Sequence, residues 1–171
     1  MNKRWQILEG NKLQITQLQQ SLNVSEALCH ILISRGITNY DKAKSYFRPT
    51  LDDLHDPFLM KDMQKAVDRI ELAIAKKEKI LVYGDYDVDG ATSAALLIRL
   101  LGALGLEAGY YIPDRLLEGY GPSGDALVSL RDSGASLVVT VDCGAQAFEA
   151  LSMAHEAGLD VIVVDHHKCA T

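Results

Sequence analysis

Beyond residue 79, short runs of apolar residues alternate with longer segments of mixed composition. The runs LVVTV and VIVV are continuously apolar, which is typical of parallel strands whose two faces are covered by helices. The first mixed segment predicts a helix beginning near Thr92 that is apolar on almost every side, so we expect it to be deeply buried. The elements follow the order βαβαβαβ: ILVYG, ATSAALLIRLLGALG, EAGYYIP, SGDALVSLRDSG, SLVVTVD, AFEALSMAHEAG and DVIVVD. This order predicts an α/β fold, a parallel sheet with helices on both faces.

The chain before this region shows the pattern of short helices. Ser25 is suited to be the N-cap of a helix over EALCHILISR, and Gly36 supplies a C-terminal stop. We expect Asp41 to cap a second helix over KAKSYFR. From Met63 the apolar residues recur at spacings of three and four, which predicts an amphipathic helix leading into the first strand.

The composition is that of a globular protein. A chain of 171 residues, 48% of them hydrophobic, is long enough for one packed domain and a small appendage. We expect a helical N-terminal segment, residues 1–60, before the α/β domain, residues 61–171. No apolar run approaches the ~18 residues of a membrane span, and MNKRWQILEG lacks the apolar centre of a secretory signal, so we expect a cytoplasmic protein. Three widely spaced cysteines without a CxxC pair argue against a disulfide framework.

Acidic residues directly follow three of the predicted strands. Because the carboxyl ends of parallel strands lie at one edge of the sheet, we expect these side chains to converge. Carboxylates in a cluster raise one another's pKa, and a divalent cation relieves that conflict. Carboxylate oxygens with one or two imidazoles suit Mn²⁺ or Mg²⁺ better than a structural zinc site. The residues concerned are Asp85, Asp87, Asp89, Asp142, Asp165, His166 and His167.

Other interpretations of these residues are weaker. DYDVDG matches the opening of a calcium EF-hand loop, but position twelve is Leu96 instead of Glu, and an apolar strand precedes it. Each acid taken alone can be the N-cap of the next helix, Asp89 above all. DVDGA approximates the nucleophile motif of haloacid-dehalogenase-type phosphatases, but there the first Asp follows the strand directly, whereas here Gly84, Asp85 and Tyr86 intervene.

Three segments in this order, GDYDVDG, TVDCG and VVDHHK, resemble the first three signature motifs of the DHH phosphoesterase superfamily. PDRLLEGYG and SRGI are similar to segments of the RecJ family of single-strand-specific exonucleases within that superfamily. The resemblance extends from about residue 25 to the last residue. It implies a DHH-type domain that binds two divalent ions, Mn²⁺ or Mg²⁺.

The resemblance also implies a role for each site residue. Metal ligands would be Asp87, Asp89, Asp142 and His166, while Asp85 lies beside them and ligates directly or through water. Catalytic positions would be Asp85, Asp165 and His167, the last in contact with the scissile phosphate. Substrate-binding positions would be Arg115 on the phosphate backbone, Tyr120 and Gly121 in a loop that shapes the strand-binding groove, and His167 again.

The function implied is a metal-dependent 5′-to-3′ exonuclease that hydrolyses single-stranded DNA to 5′-mononucleotides in DNA repair and recombination. The net charge of −6 opposes a nucleic-acid partner only if the clustered acids are not metal ligands. Alternatives are a DHH phosphodiesterase acting on short oligonucleotides or cyclic dinucleotides, and a non-catalytic scaffold relative. A single-strand-binding protein and a helicase are the expected protein partners.

Family members continue past the third motif to a fourth motif with a further metal-ligating Asp and to a second domain. We therefore expect this chain to be the N-terminal portion of a longer protein. Since the downstream ligand would be missing, we expect the isolated 171-residue chain to be inactive.

Overall fold

The computed structural model describes residues 4, 6 and 10–169, and the chain divides into two compact units, Met1–Leu59 and Met60–Thr171. The predicted helical segment includes residues 1–3, 5 and 7–9, which lie outside the described residues. Within the described part of the chain, no helix is long and apolar enough to cross a membrane.

The first unit contains three short helices around a small apolar core. Its helices are α1 (Lys12–Leu22), α2 (Glu26–Ser34) and α3 (Tyr40–Phe47), followed by single 3₁₀ turns at Leu51–Asp53 and Pro57–Leu59. The pattern of the sequence predicts α2 and α3 but not α1, whose eleven residues bury only two side chains. The buried core consists of Ile15, Leu18, Cys29, Leu32, Ile37 and Ala43.

The helix ends follow ordinary capping chemistry, with one correction to the sequence prediction. Ser25 is the N-cap of α2, and Gly36 follows this helix in the left-handed conformation at φ +79°. The predicted cap of α3, Asp41, is wrong, because Asn39 takes that role. The Asn39 side chain accepts a hydrogen bond of 2.9 Å from the N–H of Lys42. Asn39 has the extended backbone that is typical of an N-cap, whereas Asp41 lies inside the first turn.

The second unit confirms the predicted parallel α/β fold. Its four strands lie in the order β2-β1-β3-β4, and every neighbouring pair is parallel. The elements are α4 (Met63–Lys76), β1 (Ile80–Gly84), α5 (Val88–Ala103), β2 (Ala108–Tyr111), α6 (Gly124–Asp132), β3 (Leu137–Val141), α7 (Phe148–Glu156) and β4 (Asp160–Val164).

Alternate side chains of the two central strands build a core on each face of the sheet. Ile80 and Val82 of β1 point to the face that α4 and α5 cover, and Leu81 and Tyr83 point to the face that α6 and α7 cover. Strands β1 and β3 are buried along their full length, whereas β4 is half-exposed because it is an edge strand. Burial of two apolar faces therefore fixes the register of the central strands.

Helix α5 differs from its prediction in both start and burial. It begins at Val88 instead of near Thr92, because Asp87 caps it and DVDG forms the first turn. It is not deeply buried: only Gly90, Ala94 and Leu101 are fully covered. A helix on one face of a four-stranded sheet presents a single side to that sheet, and the apolar side chains on its other side stay exposed.

The start of α5 lies unusually close to the end of β1. A Cβ atom built on Gly90 would overlap the carbonyl oxygen of Asp85 and would lie 2.5 Å from the nitrogen of the same residue. Real side chains do not tolerate such contacts with backbone. Position 90 therefore requires glycine, and this close approach holds the first turn of α5 against Asp85.

We expect Gly90→Ala to lower the free energy of unfolding by about 1–3 kcal/mol, since the new methyl group must displace backbone. Gly102→Ala in the same helix is the matched control, because its Cβ would meet nothing within 4 Å. That change should raise the free energy of unfolding by about 0.5–1 kcal/mol. Urea denaturation of both variants measures the difference, and equal effects would contradict the close approach.

Candidate metal centre

The three strand-end aspartates lie on one level of the sheet. Gly84, Val141 and Val164 are aligned as the last pairs of the ladder. The ladder continues one residue further: the N–H of Asp85 donates to the Val141 carbonyl (3.4 Å) and the N–H of Asp142 to the Val164 carbonyl (2.9 Å). The parallel register therefore brings the side chains that follow three strands to the same edge, as the sequence predicts.

Asp85 is a buried carboxylate that is not fully satisfied. It is 2% exposed, and its Oδ1 atom has no hydrogen-bond partner among the described residues. Burial, followed by repulsion from Asp87 and Asp142, raises the pKa of this carboxyl. A buried, partnerless carboxylate oxygen is costly in an otherwise well-paired protein, and a cation at this position would satisfy it.

Asp87 has a structural role as well as an acidic side chain. Its Oδ1 accepts hydrogen bonds from the N–H groups of Asp89 (2.9 Å) and Gly90 (3.0 Å), which makes it the N-cap of α5. The bond from Gly90 is the main reason that the pKa of Asp87 is lowered. The carboxylate is therefore ionised and oriented by the start of the helix.

Asp142 is held in a backbone conformation that L-residues rarely adopt. Its φ is +62°, and the residue is 7% exposed. Its Oδ1 lies 2.9 Å from Nε2 of His166, whose side chain is 74% exposed. Residues in this region persist only where the surroundings enforce the conformation, and such residues cluster at functional sites. The left-handed turn directs the Asp142 carboxylate toward the two histidines.

Asp165 anchors His167. Its Oδ1 accepts from the N–H (3.0 Å) and from Nδ1 (2.7 Å) of His167, and its Oδ2 accepts from the N–H of Ala145 (2.8 Å). Burial opposes ionisation of Asp165, but these hydrogen bonds outweigh it and lower its pKa. The same contact raises the pKa of His167. A carboxylate only accepts, so Nδ1 carries the proton and Nε2 remains for another partner.

Two groups of three side chains bring ligand atoms within 4.8 Å of one another. One group is Asp85, Asp87 and Asp142, and the other is Asp142, His166 and His167. Asp142 belongs to both, so its carboxylate is the ligand that the two groups share. The oxygen-rich donors with imidazole fit Mn²⁺ or Mg²⁺, and the partnerless oxygen of Asp85 supports that fit.

Asp89 belongs to neither of these groups. The side chain is exposed in the first turn of α5. Because Asp87 occupies the capping position, the next acid along the helix lies on a different side of it. Asp85, which the resemblance places beside the ligands as a direct or water-mediated ligand, is the buried member of the three-carboxylate group.

Arg115 and Tyr120 form a row with an aromatic residue that sequence reasoning missed. The Arg115 guanidinium lies over the ring of Tyr86, 5.1 Å from its centroid. The Tyr86 ring meets Tyr120 edge to face at 6.4 Å, and the Tyr120 hydroxyl lies 3.2 Å from Nδ1 of His167. The sequence feature that could have identified Tyr86 is its position between two acidic residues in DYD. The row links Arg115 to the metal-ligand edge.

A cavity of about 590 Å³ lies beside these residues. Gly121, predicted to shape the groove, lines it, and the loop at residues 144–147 forms another part of the wall. Gly121 is left-handed at φ +79°, and its carbonyl accepts a hydrogen bond of 3.2 Å from the buried Tyr83 hydroxyl. The loop at 144–147 was not predicted. Its only sequence signal is the glycine after DC in TVDCG.

Comparison with known proteins gives consistent results. A family profile described as DHH family, N-terminal domain, matches residues 79–171. The single-stranded-DNA-specific exonuclease RecJ of Bacillus subtilis is 40% identical over 165 residues, which are 96% of this chain and 21% of the relative. The protein of the same name from Dickeya dadantii is 34% identical over 89% of this chain and 26% of the relative. The chain thus spans about a fifth to a quarter of these relatives.

Solved structures agree with the sequence comparison. The crystal structure of RecJ in complex with Mn²⁺ from Thermus thermophilus is 30% identical, matches 98% of this chain and 23% of that chain, and has a TM-score of 0.66. A crystal structure of exonuclease RecJ bound to manganese is 39% identical over 66% of this chain and 29% of that chain, with a TM-score of 0.60. The predicted family resemblance is confirmed.

Substitution of Asp87 should separate its capping role from its charge. Asn is as good an N-cap as Asp, so Asp87→Asn should leave the free energy of unfolding within about 0.5 kcal/mol of the wild type. Asp87→Ala should lower it by about 1 kcal/mol. Thermal denaturation in EDTA measures the difference. Equal melting temperatures of the Asp87→Ala and Asp87→Asn variants would contradict the capping role of Asp87.

Asp85→Asn should stabilise the metal-free protein at neutral pH. The pKa of Asp85 is raised in the folded state, so the wild type loses stability as pH rises from the ordinary carboxyl pKa through that raised value. The variant lacks this loss, so its stability advantage over the wild type should grow as the pH rises above the ordinary carboxyl pKa. Asp132→Asn, an exposed change at the end of α6, is the control. A pH-independent difference would refute the account of Asp85.

Proposed function

Since this chain belongs to the DHH family, we propose that the protein is a metal-dependent exonuclease acting on single-stranded DNA. The carrying observation is the pair of three-residue groups that share Asp142. Two-metal sites that cleave phosphodiesters hold their ions about 3.5–4 Å apart, and a carboxylate common to both ligand groups suits such a short separation. The names of the relatives, single-stranded-DNA-specific exonuclease, supply the substrate class.

The two ions would be held by Asp85, Asp87, Asp142 and His166, with the exposed Asp89 retained as a further predicted ligand. His167, the remaining member of the second group, would face the phosphate instead of an ion. When bound, Mn²⁺ or Mg²⁺ lowers the pKa of an attacking water and stabilises the charge that grows on the phosphate. The protein contributes orientation: the cap of α5 fixes Asp87, and the left-handed turn fixes Asp142.

His167 would contact the scissile phosphate. Asp165 accepts from its Nδ1, so Nε2 is directed away from that anchor. Because Asp165 raises the pKa of His167, the imidazole carries positive charge more readily and can neutralise a non-bridging oxygen. Asp165 thereby acts as a positioning residue for a catalytic histidine.

Arg115 and Tyr120 would bind the DNA strand. The ring of Tyr86 holds the Arg115 guanidinium in place, which leaves its N–H donors available for a phosphate. Tyr120 and Gly121 line the cavity beside His167 and would shape the path of the strand. Sites that bind single strands commonly place an aromatic ring next to a guanidinium group, because the ring stacks on a base and the guanidinium pairs with a phosphate.

Because the chain spans about a fifth to a quarter of its relatives' length, we propose the activity for a protein of the relatives' length, which is the full-length protein of the tests. Degradation from the 5′ end, release of 5′-mononucleotides and a role in DNA repair and recombination follow from the family resemblance and are proposals here. The same holds for a single-strand-binding protein and a helicase as partners, and for a cytoplasmic location. We also propose that the isolated 171-residue chain lacks the activity.

In the full-length protein, Asp142→Asn should lower Mn²⁺-dependent hydrolysis of a 5′-labelled single-stranded oligonucleotide by at least about a hundredfold, because both metal groups lose their shared ligand. Asp132→Asn should retain full activity. A hairpin, a dinucleotide and a cyclic dinucleotide assayed in parallel identify the substrate class. The proposal fails if Asp142→Asn stays active or if the dinucleotides are preferred.

A further inference from the structure

The helical first unit carries a basic and aromatic stripe on α3. Tyr40, Lys44 and Phe47 occur at spacings of four and three, which places them on one side of the helix, and Arg48 is the C-cap residue that follows them. All four are exposed, and the rings of Tyr40 and Phe47 are 52% and 55% exposed. Large aromatic side chains usually bury more of their surface, so this exposure calls for a partner.

These four residues form one wall of a groove of about 550 Å³. The opposite wall comes from the end of α1 and the beginning of α2, with Ser21, Leu22, Val24 and Leu28. The groove is thus lined by rings and aliphatic groups, with two cations at its border. That combination fits a ligand with flat apolar surfaces and negative charges.

The two cations of the stripe, Lys44 and Arg48, have no polar partner among the residues that the structure describes. Among the described residues, the Lys44 and Arg48 side chains form neither an ion pair nor a hydrogen bond. Lys42, by contrast, donates to the Gly36 carbonyl at 3.5 Å. The acidic residue of α3 is Asp41, so the helix and its C-cap carry three basic side chains against one carboxylate.

Charge is distributed unevenly along the chain. Residues 1–59 contain seven Lys and Arg and six Asp and Glu, whereas residues 60–171 contain ten and 17. The excess of acid therefore lies in the unit with the metal-ligand edge. A polyanion would meet less repulsion at the first unit, where the α3 stripe concentrates the unpaired basic groups.

We propose that the groove along α3 binds single-stranded DNA, with Lys44 and Arg48 on phosphates and Tyr40 and Phe47 stacked on bases. Proteins that bind single strands without sequence preference combine aromatic rings, which stack on bases, with cations, which contact phosphates. The proposal rests on the proposed function for the choice of DNA among polyanions. It assigns a DNA contact to the helical unit, in addition to the residues around the metal centre.

Fluorescence anisotropy of a labelled fifteen-nucleotide oligo(dT) with the 171-residue chain in EDTA tests the proposal. Replacing Lys44 and Arg48 together with Ala should weaken binding and reduce the slope of log affinity against log salt by about 1.4, or 0.7 for each lost phosphate contact. Replacing Tyr40 and Phe47 together with Leu should weaken binding at least about fivefold with no change in slope.

Lys12→Ala is the matched control, because it removes one charge from the far end of α1, about 15 Å from the groove end of that helix. It should bind like the wild type, and circular dichroism melts check that each variant is folded. A blunt fifteen-base-pair duplex should bind more weakly than oligo(dT), since its bases are already stacked.

The proposal is overturned if the wild-type chain does not bind oligo(dT), if the Lys44 and Arg48 variant keeps its affinity and slope, or if duplex binds equally well. Binding of an apolar peptide instead of DNA would also overturn it. If the α3 variants lose oligo(dT) binding but a protein of the relatives' full length shows no Mn²⁺-dependent nuclease activity, only the proposed function is refuted, which keeps the two claims separable.

Discussion

Repulsion among carboxylates at one edge of the sheet is the constraint on which the rest of the site depends. Asp85, Asp87 and Asp142 place ligand oxygens within 4.8 Å of one another, and one oxygen of Asp85 is buried without a partner among the described residues. Such a cluster raises the energy of the folded protein at neutral pH. The fold tolerates this cost because the apolar faces of β1 and β3 are completely buried, and a cation would turn the cost into binding energy.

The geometry of the cluster is enforced from three directions. The parallel ladder aligns the residues that follow β1 and β3, and the absence of a side chain at Gly90 lets α5 start directly over Asp85. Asp142 then leaves its strand through a left-handed turn and meets His166. The positive φ of Asp142 costs local conformational energy, and such backbone conformations cluster at functional sites.

Much of this arrangement could be predicted from the sequence, because strands buried on two faces read as continuous apolar runs. The run ILVYG matches β1 residue for residue, and the convergence of Asp85, Asp142 and Asp165 follows from parallel pairing alone. Local competition between residues was harder to predict. Asp87 and Asp89 are both suitable by residue type as the N-cap of α5, and the path of the backbone after β1 places Asp87 at that position.

Side-chain contacts between distant segments were beyond sequence reasoning. The stacking of Arg115 on Tyr86, 29 positions apart, has no periodic signal. The anchoring of Asp165 by Ala145 depends on a loop whose path the sequence does not encode in any simple pattern. The prediction that α5 is deeply buried was also wrong. The apolar composition of a helix does not reveal how many strands the sheet has or what covers the outer side of the helix.

The central claim is that the shared carboxylate of Asp142 joins two groups of metal ligands. Electron paramagnetic resonance of free Mn²⁺, titrated with the 171-residue chain, tests it most directly. The account predicts saturable loss of the free-ion signal with the wild type and with Asp132→Asn, and little loss with Asp142→Asn. Equal Mn²⁺ uptake by Asp142→Asn and the wild type would contradict the account.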